Sequence, residues 1–173
     1  LLARPREFDA DDALARALEV FWRKGYEGAS LTDLTAALGL PRPRLSAAFG
    51  NKEDLFRKAL CRYGETHFAF VVEALAEGHA RDVVERMLAG FAEAQTSPRC
   101  PKGCLTVQGA LACGTEAESI RKELAALRLQ GERALCRRLE RAKGEGQLPA
   151  GTEPADLARY VMAVANGKAE IGR

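Results

Sequence analysis

The chain has 173 residues, 47% of them apolar and 29% charged, and its 26 lysines and arginines against 24 acids leave a formal charge of only +2. Such a composition belongs to an ordinary folded protein and excludes disorder throughout. No apolar run approaches the roughly 20 residues that span a bilayer, no secretory leader is recognisable, and the near-neutral charge argues against a non-specific polyanion binder. Five cysteines (Cys61, Cys100, Cys104, Cys113, Cys136), an odd number, suit a reducing cytoplasm better than a disulfide scaffold.

Aromatic residues make up 6% of the chain and alternating β-branched runs are missing, so the expected fold is all-α. A first helix is predicted from Asp9, whose carboxylate can accept from first-turn amides, with Asp11 and Asp12 well placed against the helix dipole. Leu14, Ala17, Leu18 and Phe21 recur at helical spacing, and Gly25 supplies a left-handed stop. Ser30 and Asp33 form a capping-box pattern for a second, short helix through Leu38, ended by Gly39. Leu40 and Pro41 make the turn to a third helix, Arg42 to Phe49, with Pro43 tolerated in its first turn. Gly50 stops that helix, and Asn51 caps a fourth through Leu55, Phe56, Ala59, Leu60 and Tyr63.

Beyond about residue 65 the apolar faces widen. They comprise Val83, Val84, Met87, Leu88 and Phe91, then Ile120, Leu124, Leu127, Leu135 and Leu139, then Leu157, Tyr160, Val161 and Val164. Breaks fall at Thr96 to Pro98, Pro101 to Gly103, Gly114 and Gly144 to Gly151.

The most informative segment is Ser30 to Phe49. Two short helices joined by Gly39-Leu40-Pro41, the second turning Arg42 and Arg44 outward and Leu45 and Phe49 inward, have the form of a helix-turn-helix. Between Gly39 and Lys58 the basic residues Arg42, Arg44, Lys52, Arg57 and Lys58 outnumber Glu53 and Asp54 by three, more than the excess of the whole chain. Arginine suits base reading because its planar fork matches guanine O6 and N7. Spacing alone leaves open a plain turn between core helices with solvated arginines.

The residues Phe8-Asp9, Ala13 to Phe21, Gly25 to Leu31, Leu34 to Gly39 and Leu45 to Leu55, with Phe49-Gly50-Asn51-Lys52-Glu53, resemble the N-terminal DNA-binding domain of the TetR family of bacterial transcriptional regulators. The resemblance covers about the first 60 residues. It implies a three-helix DNA-binding domain at 1–63, joined by a long helix to a helical-bundle ligand-binding and dimerisation domain at 64–173. It also implies a homodimer on a palindromic double-stranded DNA operator, a repressor released by a small-molecule, electrophile or oxidant signal. Carried over by position, Thr32, Arg42, Arg44, Ser46 and Lys52 would meet DNA, and Arg4 and Arg6 would form a basic arm. Ser46 stands where most members have tyrosine, and Pro41 where serine or threonine usually caps the reading helix.

Pro101-Lys102-Gly103-Cys104-Leu105 resembles a segment of one branch of the family in which cysteine senses electrophiles or oxidants. Cys104, alone or with Cys100 four residues earlier, is the candidate switch: it would sit at a helix N-terminus with Lys102 near it, a setting that favours thiolate; the other reading is a buried small thiol. Met87, Leu88, Phe91, Cys104, Gln108 and Leu111 are the candidate pocket or sensor residues, although apolar cavity linings and plain core share a composition. Dimerisation is expected on the last helices, through Leu124, Leu127, Leu135 and Leu139 with Leu157, Tyr160, Val161 and Val164. Cys100 and Cys104 lack a second compact pair and His67 and His79 stand apart in sequence, so no metal or cofactor is expected. Phosphate-loop, nucleophile-elbow and HExxH patterns are missing, which disfavours an enzyme. A helical protein-binding adaptor without DNA binding is the alternative.

Overall fold

A computed structural model describes residues 9–111, 114 and 117–171, without the side chains of 110, 111 and 168–171. The helices are α1 (Ala10–Gly28), α2 (Leu31–Leu38), α3 (Arg42–Phe49), α4 (Lys52–His67), α5 (Ala69–Leu75), α6 (Ala80–Thr96), α7 (Leu105–Leu111), α8 (Glu118–Gly144) and α9 (Pro154–Ile171), and no strand occurs among the described residues.

Local chemistry sets the first boundaries. Asp9 accepts from the amides of Asp11 and Asp12 and starts α1. Gly25, at φ 74°, kinks that helix rather than ending it, and one more turn runs to Gly28. Ser30 and Asp33 form a reciprocal capping box on α2, and Asn51 with Asp54 does the same for α4. Two orphan donors are satisfied at each start. Gly39 (φ 65°) and Gly50 (φ 83°) close α2 and α3 in conformations that an L side chain seldom adopts. At Gly50 a Cβ would also collide with the Asp54 carboxylate. The fourth helix runs past Tyr63 and Gly64 to His67, where Phe68 takes over as the start of α5.

Apolar residues gather into two cores. The first holds Phe21, Trp22, Leu34, Leu45, Phe49 and Phe56 from α1–α4, but it also includes Leu105, Ala117, Ile120 and Leu124 from beyond residue 100. Phe21 and Phe56 meet edge to face at 5.0 Å, with Tyr26 5.1 Å from Phe56. The second core joins Ala74, Val83, Met87 and Phe91 to Leu135, Leu139, Val161 and Ala165. Polar ties close it: Gln95 Nε2 donates to the Ala165 carbonyl at 3.0 Å, and Arg138, only 7% exposed, donates to the carbonyls of Glu77 and Gly78.

This packing corrects the expected dimer face. Leu124, Leu135, Leu139 and Val161 are buried inside the chain, because α8 and α9 first have to bury their wide apolar faces against α6, α7 and each other. Among the described side chains of these two helices, Leu127 (41%), Leu129 (49%) and Tyr160 (68%) remain as exposed large apolar residues. Truncating a fully buried aromatic ring that two other rings contact leaves a cavity costing about 3–5 kcal/mol. Phe56→Ala is therefore expected to lower unfolding free energy by that amount in urea titrations; a loss below about 1 kcal/mol would mean that this ring does not anchor α1 to α4.

Candidate nucleic-acid interface and its links to two cavities

The third helix is built to show one face. Leu45 and Phe49 are buried at 3%, whereas Arg42, Pro43, Arg44, Ser46, Ala47 and Ala48 are exposed. Pro41 precedes the helix without a side-chain cap, and its carbonyl accepts from Leu45 N at 3.0 Å. Thr32, exposed in the first turn of α2, uses its carbonyl to accept from the Thr35 hydroxyl, leaving its own hydroxyl on the surface. Thr32 on α2 and Arg42, Arg44 and Ser46 on α3 are each exposed. Arg4 and Arg6 lie outside the described residues.

The expected basic cluster divides once its partners are in view. Lys58 donates to the Phe49 carbonyl at 3.0 Å, satisfying a terminal acceptor of α3. Arg57 bonds Glu53 within α4 and Glu123 on α8 at 2.7 Å, a tie between the two parts of the chain. The Glu123 hydrogen bond comes first in raising the guanidinium pKa above its ordinary range. Lys52 is half-buried with its ammonium 4.7 Å from the centroid of the Tyr26 ring, and burial pushes its pKa down although Glu27 opposes this. Arg42 and Arg44 carry the exposed charge of α3 itself.

Two large cavities flank the junction between α1–α4 and the remaining helices. One, of about 770 Å³, is walled by α4, α5, α6, α8 and α9 and includes Tyr63, Met87, Phe91, Leu127 and Met162 with Cys104. Its volume lies in the usual small-molecule range. The other, of about 930 Å³, lies between the end of α1, the end of α6 and α7, and includes Trp22, Gln95, Cys100, Lys102 and Gln108. The six pocket candidates do not form one site. Met87, Phe91 and Cys104 line the first cavity, Gln108 lines the second, Leu88 packs half-buried against the second core, and the Leu111 side chain lies outside the described residues.

Cys104 does precede α7, its carbonyl accepting from the amides of Val107 and Gln108. It is only 3% exposed, however, with the Thr106 hydroxyl 3.0 Å and the Tyr63 hydroxyl 3.6 Å from its sulfur. Lys102 is exposed and opens onto the other cavity. His67 is not isolated either. It stands 4.7 Å from the Trp22 ring and 5.1 Å from the Tyr63 ring, with Nε2 3.4 Å from Cys100 Sγ. Thirty-three residues separate that pair in the chain, so no short motif signals it.

Comparison with known proteins places this geometry. Residues 13–59 match the family model described as bacterial regulatory proteins, tetR family, and residues 80–171 match the tetracyclin repressor-like C-terminal domain. The chain belongs to the TetR family of bacterial transcriptional regulators. It is 33% identical over 167 residues to the HTH-type transcriptional repressor ComR of Escherichia coli, covering 95% of this chain and 79% of that protein. The HTH-type transcriptional regulator YezE of Bacillus subtilis is 34% identical, with 92% and 84% covered. Among solved structures, a cysteine mutant of the TetR family regulator CifR complexed with 26-base-pair double-strand operator DNA matches with a TM-score of 0.91 and 40% identity, over 98% of this chain and 89% of that one. No helix of this TetR-family chain is long and apolar enough to cross a membrane, and no cluster of three or more metal-ligating residues occurs, among the described residues.

The α1–α2 corner that presents the TetR reading unit carries an acid-sensitive tie. Asp33 accepts from the Lys24 ammonium at 2.6 Å and from the Ser30 hydroxyl and amide, and these bonds, Lys24 first, hold its pKa well below the ordinary 3.8. A depressed folded-state pKa contributes stability that is present above the unfolded value and is lost as pH falls through the folded one. The urea midpoint is therefore expected to drop as pH falls below about 4, and Asp33→Asn should flatten that part of the profile. Superimposable profiles for the two proteins would remove Asp33 from the acid response.

Proposed function

We propose that the chain is a repressor that binds a palindromic operator as a homodimer and is released when its helical C-terminal region takes up a small molecule or reacts with a thiol-directed signal. One observation carries the DNA-binding part: α3 buries Leu45 and Phe49 and turns Arg42, Arg44 and Ser46 outward, in a chain that superimposes at a TM-score of 0.91 on a relative complexed with operator DNA. The repressor sense is proposed from the similarity to ComR, a transcriptional repressor. Thr32 and Lys52 are proposed to meet the DNA backbone at the starts of α2 and α4, with Arg4 and Arg6 as an accompanying arm. Residues 1–63 form the proposed reading domain and 64–173 the sensing and pairing domain.

The pairing surface is proposed on the outward sides of α8 and α9, where Leu127, Leu129 and Tyr160 are exposed large apolar residues. Two-fold symmetry then puts two copies of α3 at successive major-groove faces, about 34–36 Å apart for adjacent half-sites. The 770 Å³ cavity contacts α4, the helix that leads from the reading domain into the bundle. A ligand seated there is suited to change the separation of the two heads.

A gel shift on DNA flanking the protein's own gene tests the reading. Arg44→Ala is expected to weaken specific binding by about 1–3 kcal/mol, roughly 5- to 150-fold in Kd, with unfolding free energy nearly unchanged. Unchanged operator affinity would remove Arg44 from the contacts, and no retardation at low salt would refute DNA binding. Tyr160→Asp is expected to convert a sedimenting dimer to monomer with its helical circular dichroism retained; a dimer that persists would exclude this face of α9.

A further inference from the structure

The proposed function draws on α3 and the 770 Å³ cavity, and neither accounts for a group of side chains at the end of α4. His67 Nδ1 lies 2.8 Å from Thr66 Oγ1, and the Thr66 hydroxyl donates its own proton to the Arg62 carbonyl at 2.7 Å. Thr66 Oγ1 can then only accept from the ring, which assigns the proton of the neutral imidazole to Nδ1. Nε2 is left as an acceptor, 3.4 Å from the half-buried Cys100 sulfur. Burial holds the His67 pKa below its ordinary value, opposed by a hydrogen bond to the Tyr63 backbone, so the neutral ring prevails at neutral pH. A thiol facing the bare nitrogen of an imidazole oriented by a third group has the arrangement of an activated nucleophile.

Cys100 also lines the 930 Å³ cavity, whose described lining contains the cations Arg23, Lys24 and Lys102 and no carboxylate. Arg23 and Lys24 are held by Glu19 and Asp33, whereas Lys102 is exposed. The same wall includes Gln95, 5% exposed, whose Nε2 is bonded and whose Oε1 has no partner, and the side chain of Gln108. The exposed ammonium of Lys102, together with amide groups beside a thiol, fits an anionic ligand that itself carries amides and sulfur.

We propose that Cys100, served by His67 as base and Thr66 as the positioning residue, is a site of reversible thiolation by an acid-bearing, peptide-like low-molecular-weight disulfide. Cys100 passes its proton to His67 Nε2 and its sulfur attacks one sulfur of the small disulfide. The S–S bond of the small molecule breaks as the Cys100 Sγ–S bond forms. The leaving thiolate takes the proton back from His67, so Cys100 is oxidised to the mixed disulfide and half of the small molecule is reduced to a thiol. Excess small thiol reverses the exchange.

Resting on the DNA-binding reading, the site also has a route to α3. The Trp22 indole of α1 packs on His67 and donates to the Gly103 carbonyl at 3.0 Å, three residues from Cys100. An adduct on Cys100 occupies the space beside that bond and shifts α1 relative to α4.

The test treats the reduced full chain with oxidised glutathione, an anionic disulfide, or cystamine, a cationic one, and maps adducts by peptide mass spectrometry. Cys100 is expected to react before the exposed Cys61 and the buried Cys104, and at least about tenfold faster with glutathione disulfide than with cystamine. His67→Gln should slow the Cys100 reaction and move its pH dependence up toward that of an ordinary thiol, near 8.5, with Tyr63, Cys104 and Lys102 as the other titrating neighbours left in place. Reaction of Cys100 no faster than that of Cys61, or equal rates for the two disulfides, overturns the proposal on the wild-type protein alone, whatever the variant does. The mixed disulfide should lose operator retention, and Cys100→Ser should keep it in the same oxidant. An adduct on Cys100 in a protein that never binds DNA would count against the regulator reading, whereas unmodified Cys100 in a protein that does bind DNA would count against the thiolation site.

Discussion

A buried hydrogen bond is central among the contacts that tie the two parts of this molecule together: the Trp22 indole, 4% exposed, donates to the Gly103 carbonyl across 81 residues of sequence. The tryptophan belongs to α1 of the reading head and the carbonyl to the loop before α7. Around this bond Tyr63 and His67, from the end of α4, pack on the same indole at centroid distances of 4.7 Å. An indole N–H buried without an acceptor costs on the order of 1–3 kcal/mol, so the loop and the head hold each other in place. The first core extends the constraint, because Leu105, Ile120 and Leu124 pack with residues of α1–α4. The head therefore does not hang from α4 alone; it rests on the bundle that surrounds both cavities.

The same constraint explains where the charge goes. A +2 chain cannot bind DNA through its overall field, and several of its local cations are engaged elsewhere. Arg57 joins α4 to Glu123 on α8, Lys58 satisfies the end of α3, and Lys52 lies over Tyr26. These residues stabilise the frame on which α3 sits, and Arg42 and Arg44 remain on its exposed face. A reading head of this kind depends on shape and register more than on net attraction.

The cysteines divide by environment in a way that spacing does not reveal. Cys100 and Cys104 are four residues apart, yet they line different cavities. Cys104 is buried with two hydroxyls near its sulfur; Cys100 is half-buried, faces the His67 imidazole and shares its cavity with the exposed Lys102. Helix position alone would have ranked them in the other order, since Cys104 is the residue that precedes α7. Solvent access and a proton acceptor within reach matter more for reactivity than the half-charge of a short helix end.

Sequence by itself determined the local architecture of the head. Asp9, Ser30, Asp33, Asn51, Gly39 and Gly50 act through bonds and dihedral limits that span at most a few residues, so their roles follow from spacing. The inward face of α3 was legible for the same reason, as Leu45 and Phe49 lie one helical turn apart. Tertiary structure decided whatever depends on groups distant in the chain. It placed Leu124, Leu135, Leu139 and Val161 inside the protomer rather than at an expected dimer face, because an apolar stripe does not state which apolar surface will cover it. It spent Arg57 and Lys58 on Glu123 and the Phe49 carbonyl, and it brought His67 to Cys100. A side chain's charge and hydrogen-bonding capacity are written in the sequence, but its partner is chosen by the packing of whole helices.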